Sequence, residues 1–334
     1  MPEGPQGLNL ARLAQLRAGI PYQVPAVTVN RFCSSGVQTI AMAADRIATG
    51  QASAILAGGA ESMSMVPMSG ERFLPNPTLV RDMPEAYISM GHTAEEVARR
   101  FDVSREEQDA FSLQSHRKAV AALDSGAFID EIVPVEVTHK APGPRGESVV
   151  TTATFDTDEG PRRDTTAEAL AKLRPAFTLD GTVTAGNSSQ TSDGAAAALV
   201  MSRAMAEELG LEILAALRGY QVAGVPPEIM GIGPVEAIPK VLKHCGVAQD
   251  DVDLFEINEA FAAQAVYSVR TLGIPEEKVN VHGGAIALGH PLGATGAKLT
   301  ATLLHEMKRR SSRYGVVSMC IGGGMGAAAL FERP

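Results

Sequence analysis

The chain has 334 residues, of which 45% are hydrophobic, 20% charged and only 4% aromatic, with no Trp and a formal net charge of −9. At about 150 residues per domain this is roughly two domains, long enough to bury a large core without staples, and the balance excludes disordered and collagen-like chains. No block of Lys or Arg stands out in the sequence, so nucleic acid and anionic membranes are not expected as partners.

In chain order, a helical pattern over about 8–18 precedes a β-branched run at 27–30. A turn holding Cys33, Ser34, Ser35 and Gly36 leads into a helical pattern at 37–48, then a strand at 54–57 ending in Gly58 and Gly59. An insertion rich in Pro, Gly and charge fills 63–190. Within it, Thr93 with Glu96 predicts the start of a short helix, and Ser104 with Glu107 predicts a capping box opening a helix at 105–123, with Gly126 just past its end. Such an insertion usually shapes a substrate site or an oligomer contact.

The run at 194–201 predicts the strand that returns to the first sheet. It is among the longest mostly apolar stretches and is too short to span a bilayer. Strands at 211–222 and 253–257 alternate with helices at 235–245 and 260–272. The run at 279–282 then enters a Gly-rich turn through His290, followed by a helix at 297–308 and a strand at 315–319 that meets Gly322, Gly323 and Gly324.

The order of strand, Gly-rich turn, helix and strand therefore occurs twice, which predicts two pseudo-duplicated α/β halves with buried strands. Residues 1–62 and 191–205 are assigned to the first half, 63–190 to the inserted loop domain and 206–334 to the second half. A strand–helix–strand unit of the second copy, about fifty residues, has no counterpart in the first. A fragment is the favoured reading, and the first sheet is expected to be two strands short, with an open edge and an exposed apolar face.

Cysteines occur at 33, 245 and 320 without any C-x-x-C. A disulfide framework or structural zinc has no support, and reduced thiols predict a reducing compartment. The N-terminus has neither a signal-peptide core nor an Arg- and Ser-rich transit pattern, so the cytoplasm is the expected location. None of the seven His residues has metal-ligand spacing, and no metal is predicted.

Cys33 lies between strand and helix patterns, where free N–H groups and the helix dipole favour thiolate. A small buried hydrophobe is the alternative. Cys320 precedes a Gly run that suits either oxyanion donors or close packing. His290, between Gly289 and Pro291, is read as structural or as a general base. Asn258 is read as a helix N-cap or a site residue. Cys245 is read as packing.

Taken together these segments resemble the thiolase family. The resemblance rests on Asn30, Arg31, Phe32, Cys33, Ser34, Ser35 and Gly36, on Asn258, Glu259, Ala260 and Phe261, on Gly289, His290 and Pro291, and on Cys320, Ile321 and Gly322, and it extends over 6–332. It is more like the degradative 3-ketoacyl-CoA thiolases than the biosynthetic acetoacetyl-CoA enzymes. The resemblance implies an αβαβα layered α/β core with an inserted loop domain. It also implies a strand–helix–strand ahead of the segment matching 1–10.

For the chemistry, the resemblance implies that His290 deprotonates Cys33, whose sulfur attacks the 3-keto carbonyl. Cys320 then acts as acid and base toward acetyl-CoA and CoA. Asn258, through a water, and His290 hold the enolate oxygen, and the amides of Cys33 and Gly322 hold the thioester oxygen. Ser89, Met90, Ala260 and Phe261 match positions lining the pantetheine channel. No cofactor is implied, because CoA is a substrate. A homodimer or homotetramer is expected, along with a β-oxidation partner enzyme. The competing readings are an acetoacetyl-CoA thiolase, a decarboxylating ketoacyl synthase and a non-catalytic acyl-CoA-binding subunit.

Overall fold

The computed structural model describes residues 3–144 and 146–334; positions 1 and 2, where the first half is expected to begin, lie outside them. The described residues form α1 (Leu10–Arg17), α2 (Ser35–Ala48) and β1 (Ala54–Ser62), then an insertion with α3 (Pro77–Asp82), α4 (Met90–Arg100) and α5 (Arg105–Asp124). The insertion continues through the exposed hairpin β2 (Val135–Pro142) and β3 (Ser148–Phe155) and α6 (Ala167–Ala171). After β4 (Asp193–Met201) and α7 (Arg203–Glu208) come β5 (Ala216–Gly224), α8 (Gly233–Cys245), β6 (Leu254–Ile257) and α9 (Ala262–Leu272). The chain closes with α10 (Ala285–Leu288), α11 (Leu292–Arg310), β7 (Tyr314–Ile321) and β8 (Met325–Glu332).

Helix α2 buries Val37, Ile40 and Ala41, a three- and four-residue spacing that makes one apolar face. It stops at Gly50, whose φ of +72° suits glycine, while the Gln51 amide returns to the carbonyl of Arg46. Helix α11 lies beside α2, and the two touch through glycines. A Cβ at Gly36 would overlap the amide of Ala297, and one at Gly296 would overlap the amide of Val37. Together they form a helical layer between two sheets. The core around them includes Val37, Ile40, Leu303, Met307, Val317 and Met319, and burying such a side chain contributes roughly 1.5–3 kcal/mol.

The sheet of the second half has the order β5-β8-β7-β6, with β6 and β7 parallel and the other pairs antiparallel. Its second face is covered by α8, where Ile238, Val241 and Leu242 meet Val316, Ala328 and Leu330. The sheet of the first half has two strands, β1 and β4, paired antiparallel over their full lengths. One face meets α2 and α11. On the other, the cross-strand partners Leu56 and Leu199 stand 60% and 58% exposed. The layered α/β core thus matches expectation, with the outer helical layer present over the second sheet. Among the described residues, no helix is long and apolar enough to cross a membrane.

Several expectations need correction. The run at 27–30 forms no strand; it is tied to α1 instead, where the Thr28 hydroxyl donates to Asn9 and accepts from the Ala11 amide. β-branched residues make a strand only where a ladder partner exists. At 279–282 only one bridge forms, between Val279 and Phe255. The Asn280 side chain there accepts from the Ile257 amide and donates to its carbonyl, which closes the ladder. The strand read at 211–222 begins only at Ala216.

Thr93 does not open α4: Ser89 occupies the cap position, and the Thr93 hydroxyl donates inside the helix to the carbonyl of Met90. Asn258 is not an N-cap, since α9 begins four residues beyond it with Phe261 at the cap. The capping box of Ser104 and Glu107 is formed as expected.

Candidate active site

Cys33 sits in a single 3₁₀ turn, Phe32–Ser34, directly ahead of α2, and is buried. Phe32 has φ of +47°, a strained value for a bulky residue of the kind that collects at functional sites. Strand β7 packs on this turn and brings Gly322 beside Phe32, so that the amides of Gly322 and of Cys33 itself act on the sulfur to favour its thiolate. Burial nonetheless pushes the thiol up to about 11, with the charge of Glu61 adding to the rise against those two amides. The expected thiolate therefore does not form at rest, because burial outweighs the helix N-terminus.

Cys320 is fully buried at the end of β7, and its thiol is also raised, first by burial and then by the nearby Cys33. An unperturbed thiol value near 8.5 does not hold for it. Cys320 packs with Ala94, Val183, Met230, Ala260 and Phe261, and Met90 lies against this cluster. A Cβ on Gly322 would come within 3.3 Å of the Met90 sulfur. Of the four expected channel residues, Met90, Ala260 and Phe261 are thus gathered around Cys320. Ser89 is exposed at the rim, with its hydroxyl 2.6 Å from Nδ1 of His92.

His290 is buried in the turn between α10 and α11. Its Nδ1 lies 2.6 Å from the Thr295 hydroxyl, which donates its single proton to the Pro291 carbonyl. With the hydroxyl proton on that carbonyl, the tautomer assigned from the hydrogen-bond network has Nδ1–H toward Thr295 and leaves Nε2 as the basic nitrogen. Asn258 Nδ2 stands 3.3 Å from Nε2. Burial, with the charge of Lys298 second, holds the imidazole neutral, its titration lowered to about 3.

Asn258 is fully buried, its amide donating to the Ser318 carbonyl and its carbonyl accepting from Gln264. Its Oδ1 has no hydrogen-bond partner among the described residues. Such an atom is costly to leave bare and is well suited to hold a water or ligand.

The structure adds Glu61, which lies outside the motifs, and gives Glu259, which lies within one, a supporting role. Glu61 on β1 accepts from the Gly293 amide in the first turn of α11, which joins the two halves beside Cys33 and His290. Glu259 accepts from Ser115, Asn280 and the Ile286 amide, fixing the turn ahead of His290. Thr295 could have been found in the sequence as the residue one helical turn into α11; Glu61 carries no such signal, because its partner is 232 positions away.

A two-stranded and a four-stranded sheet on either side of one helical layer, with a buried thiol from each half and a buried imidazole just ahead of α11, form the frame of this site. Residues 1–204 match the model of the thiolase N-terminal domain and residues 211–333 that of the thiolase C-terminal domain, so the chain belongs to the thiolase family. It is 60% identical to the 3-ketoacyl-CoA thiolase of Bacillus subtilis (strain 168), covering 99% of this chain and 85% of that protein. It is 54% identical to the peroxisomal 3-ketoacyl-CoA thiolase of Homo sapiens, covering 98% of this chain and 77% of the relative. The crystal structure of the dimeric peroxisomal thiolase of Saccharomyces cerevisiae superposes with a TM-score of 0.87 at 47% identity, over 97% of this chain and 80% of that one.

Proposed function

We propose that the chain cleaves 3-ketoacyl-CoA with CoA, releasing acetyl-CoA and a shortened acyl-CoA in fatty-acid degradation. The observation that carries this reading is the packing of β7 and Gly322 against the turn that holds Cys33, which sets the Gly322 amide toward the sulfur. It brings the Cys320 segment of one half onto the thiol of the other. The relatives named 3-ketoacyl-CoA thiolase support the same substrate class.

In this reading the resting site keeps its proton on sulfur and its imidazole neutral. As the Cys33 sulfur bonds to the 3-keto carbon, its proton passes to His290 Nε2. The carbon–carbon bond then breaks, leaving acyl-Cys33 and the acetyl-CoA enolate. Cys320 protonates that enolate carbon and becomes thiolate. The incoming CoA thiol gives its proton to Cys320 while its sulfur attacks the thioester, and His290 returns the first proton to Cys33. Positive charge appears on the His290 ring and negative charge on the substrate oxygens, which is where preorganised amides contribute most.

Asn258 Oδ1, bare and buried, suits a water on the enolate oxygen together with His290, and the amides of Cys33 and Gly322 suit the thioester oxygen. Met90, Ala260 and Phe261 would line the pantetheine, with Ser89 at its entrance. The reading also includes the division into 1–62 with 191–205, 63–190 and 206–334, a homo-oligomer, a β-oxidation partner enzyme, action in the cytoplasm and no cofactor beyond the CoA substrate.

Incubation with a 3-ketoacyl-CoA, followed by peptide mass spectrometry, tests the reading. An acyl group should appear on Cys33 and leave when CoA is added. Acylation of Cys245 or Cys320 instead would sink it.

A further inference from the structure

His290 follows a four-residue helix, α10, and a single glycine, Gly289. A helix that short satisfies almost none of its own backbone. The Gly289 amide takes the carbonyl of Ala285, so the carbonyls of Ile286, Ala287, Leu288 and Gly289 are left past the last turn.

Two side chains from elsewhere reach these four carbonyls. The ammonium of Lys298 stands 3.2 Å from the Leu288 oxygen and 3.2 Å from the Gly289 oxygen. Lys298 lies on α11 eight positions beyond His290, and helical side chains lean toward the N-terminus, which takes its stem back over the turn. From the other side, the amide of Gln190 lies 3.2 Å from the carbonyls of Ile286 and Ala287, and 3.1 Å from that of Gly160. Ser192, two residues on, accepts from the His290 amide at 3.2 Å.

We propose that Lys298, with Gln190 opposite it, is a positioning residue for His290. The two side chains hold the four terminal carbonyls of α10 and thereby fix the turn that keeps Nδ1 on Thr295 and Nε2 on Asn258. The polar ends of both side chains are given to backbone carbonyls. Their role is to make one ring orientation the only one, so that the basic nitrogen is in place before substrate arrives. Lys298 also brings a positive charge near an imidazole that must stay neutral at rest, and that charge opposes early protonation.

The catalytic consequence rests on the thiolase reading; the structural one does not. The experiment therefore has two arms on the full chain. In the first, histidine is labelled with ¹⁵N, and the ring nitrogens of His290 are read at neutral pH without substrate. The parent should show one fixed tautomer, and Lys298→Met should show an averaged ring, with Lys298→Arg restoring the fixed form. In the second, turnover of a 3-ketoacyl-CoA is measured. Lys298→Met should lower kcat about tenfold to a hundredfold, the range expected for small misplacements, with KM changed by no more than about threefold.

Gln190→Leu removes the opposite clamp without altering charge and should loosen the same ring, which keeps the test open if Lys298→Met folds poorly. A fixed tautomer retained in both Lys298→Met and Gln190→Leu overturns the proposal. A parent that shows a fixed ring but cleaves no 3-ketoacyl-CoA overturns the functional reading while leaving the positioning role standing.

Discussion

The two sheets are built from the same kind of chain and end in different states. In the second half, strands β7 and β8 are buried almost throughout, with α11 on one face and α8 on the other. In the first half, β1 and β4 have α2 and α11 on one face, while Leu56 and Leu199 face outward on the other. Yet both halves contribute to the site: Cys33 and Glu61 come from the first, and His290, Asn258 and Cys320 from the second. Chemistry at this junction therefore does not track local burial. Cys33, the proposed nucleophile, is carried by the thinner half, and α11 is the element that connects it to the thicker one.

The largest effect expected is on the thinner half. Cys33→Ala should remove acylation and lower turnover by about a thousandfold or more, since no other group supplies the covalent step; rapid-quench mass spectrometry checks it. If acyl transfer survives, the chemistry does not straddle the two halves.

From the thicker half, Cys320→Ser should leave acylation of Cys33 measurable while slowing proton exchange at the acetyl-CoA methyl by about a hundredfold, because a hydroxyl is a far weaker acid than a thiol. Exchange in deuterated water, followed by NMR, reads this directly. An unchanged rate would make Cys320 a packing residue.

The energetic side of the comparison is sharpened by a leucine pair. Leu330→Ala, between α8 and the second sheet, should cost about 2–5 kcal/mol. Leu199→Ala, on the open face, should change stability by no more than about 0.5 kcal/mol. Urea melts measure both, and equal costs would mean that something covers the first sheet in solution.

The smallest effect is one of pH. Burial raises Glu131 to about 7, and the Thr302 hydroxyl of α11 donates to its carboxyl. In the unfolded chain this group ionises near the ordinary 4.5, so the folded state holds an extra proton between about 4.5 and 7 and loses stability as pH rises through that window. Glu131→Gln lacks this loss. The melting temperature of the variant relative to the parent should climb from pH 4.5 to 7 and then level off; a gap independent of pH would show that the carboxyl titrates normally.

Much of this was legible in the sequence because the signals are local. The capping box at Ser104, the helices at 37–48 and 235–245 and the duplicated order of elements depend on neighbours a few residues apart. Strand β8 was missed, since Gly326, Ala327, Ala328 and Ala329 have neither alternation nor β-branching. They become a strand only because β5 and β7 flank them and α8 needs a surface without side chains, a Cβ at Gly326 overlapping the carbonyl of Gly233. The hairpin β2–β3 was missed within a segment read only as insertion. At 27–30 the error ran the other way, since residue type suggested a strand that no partner completes. In the site, the motifs gave the reacting groups and not their supports. Glu61, Gln190 and Lys298 hold backbone atoms, and a bond to backbone leaves no trace in the identity of its partner.

The contact of Gly36 with α11 and of Gly296 with α2 has a consequence for how the spacing of the site is set. Cys33 precedes one helix and His290 the other, so the two reacting groups sit on short arms of a pair of rods that cross at a fulcrum with no padding. One methyl group at that fulcrum would act as a shim, and the arms would spread the sulfur and the imidazole apart. The gap between the sulfur and the imidazole is thus gauged by hydrogen atoms at positions outside the proposed reacting groups. A change there would disarm the site while leaving every reacting group intact.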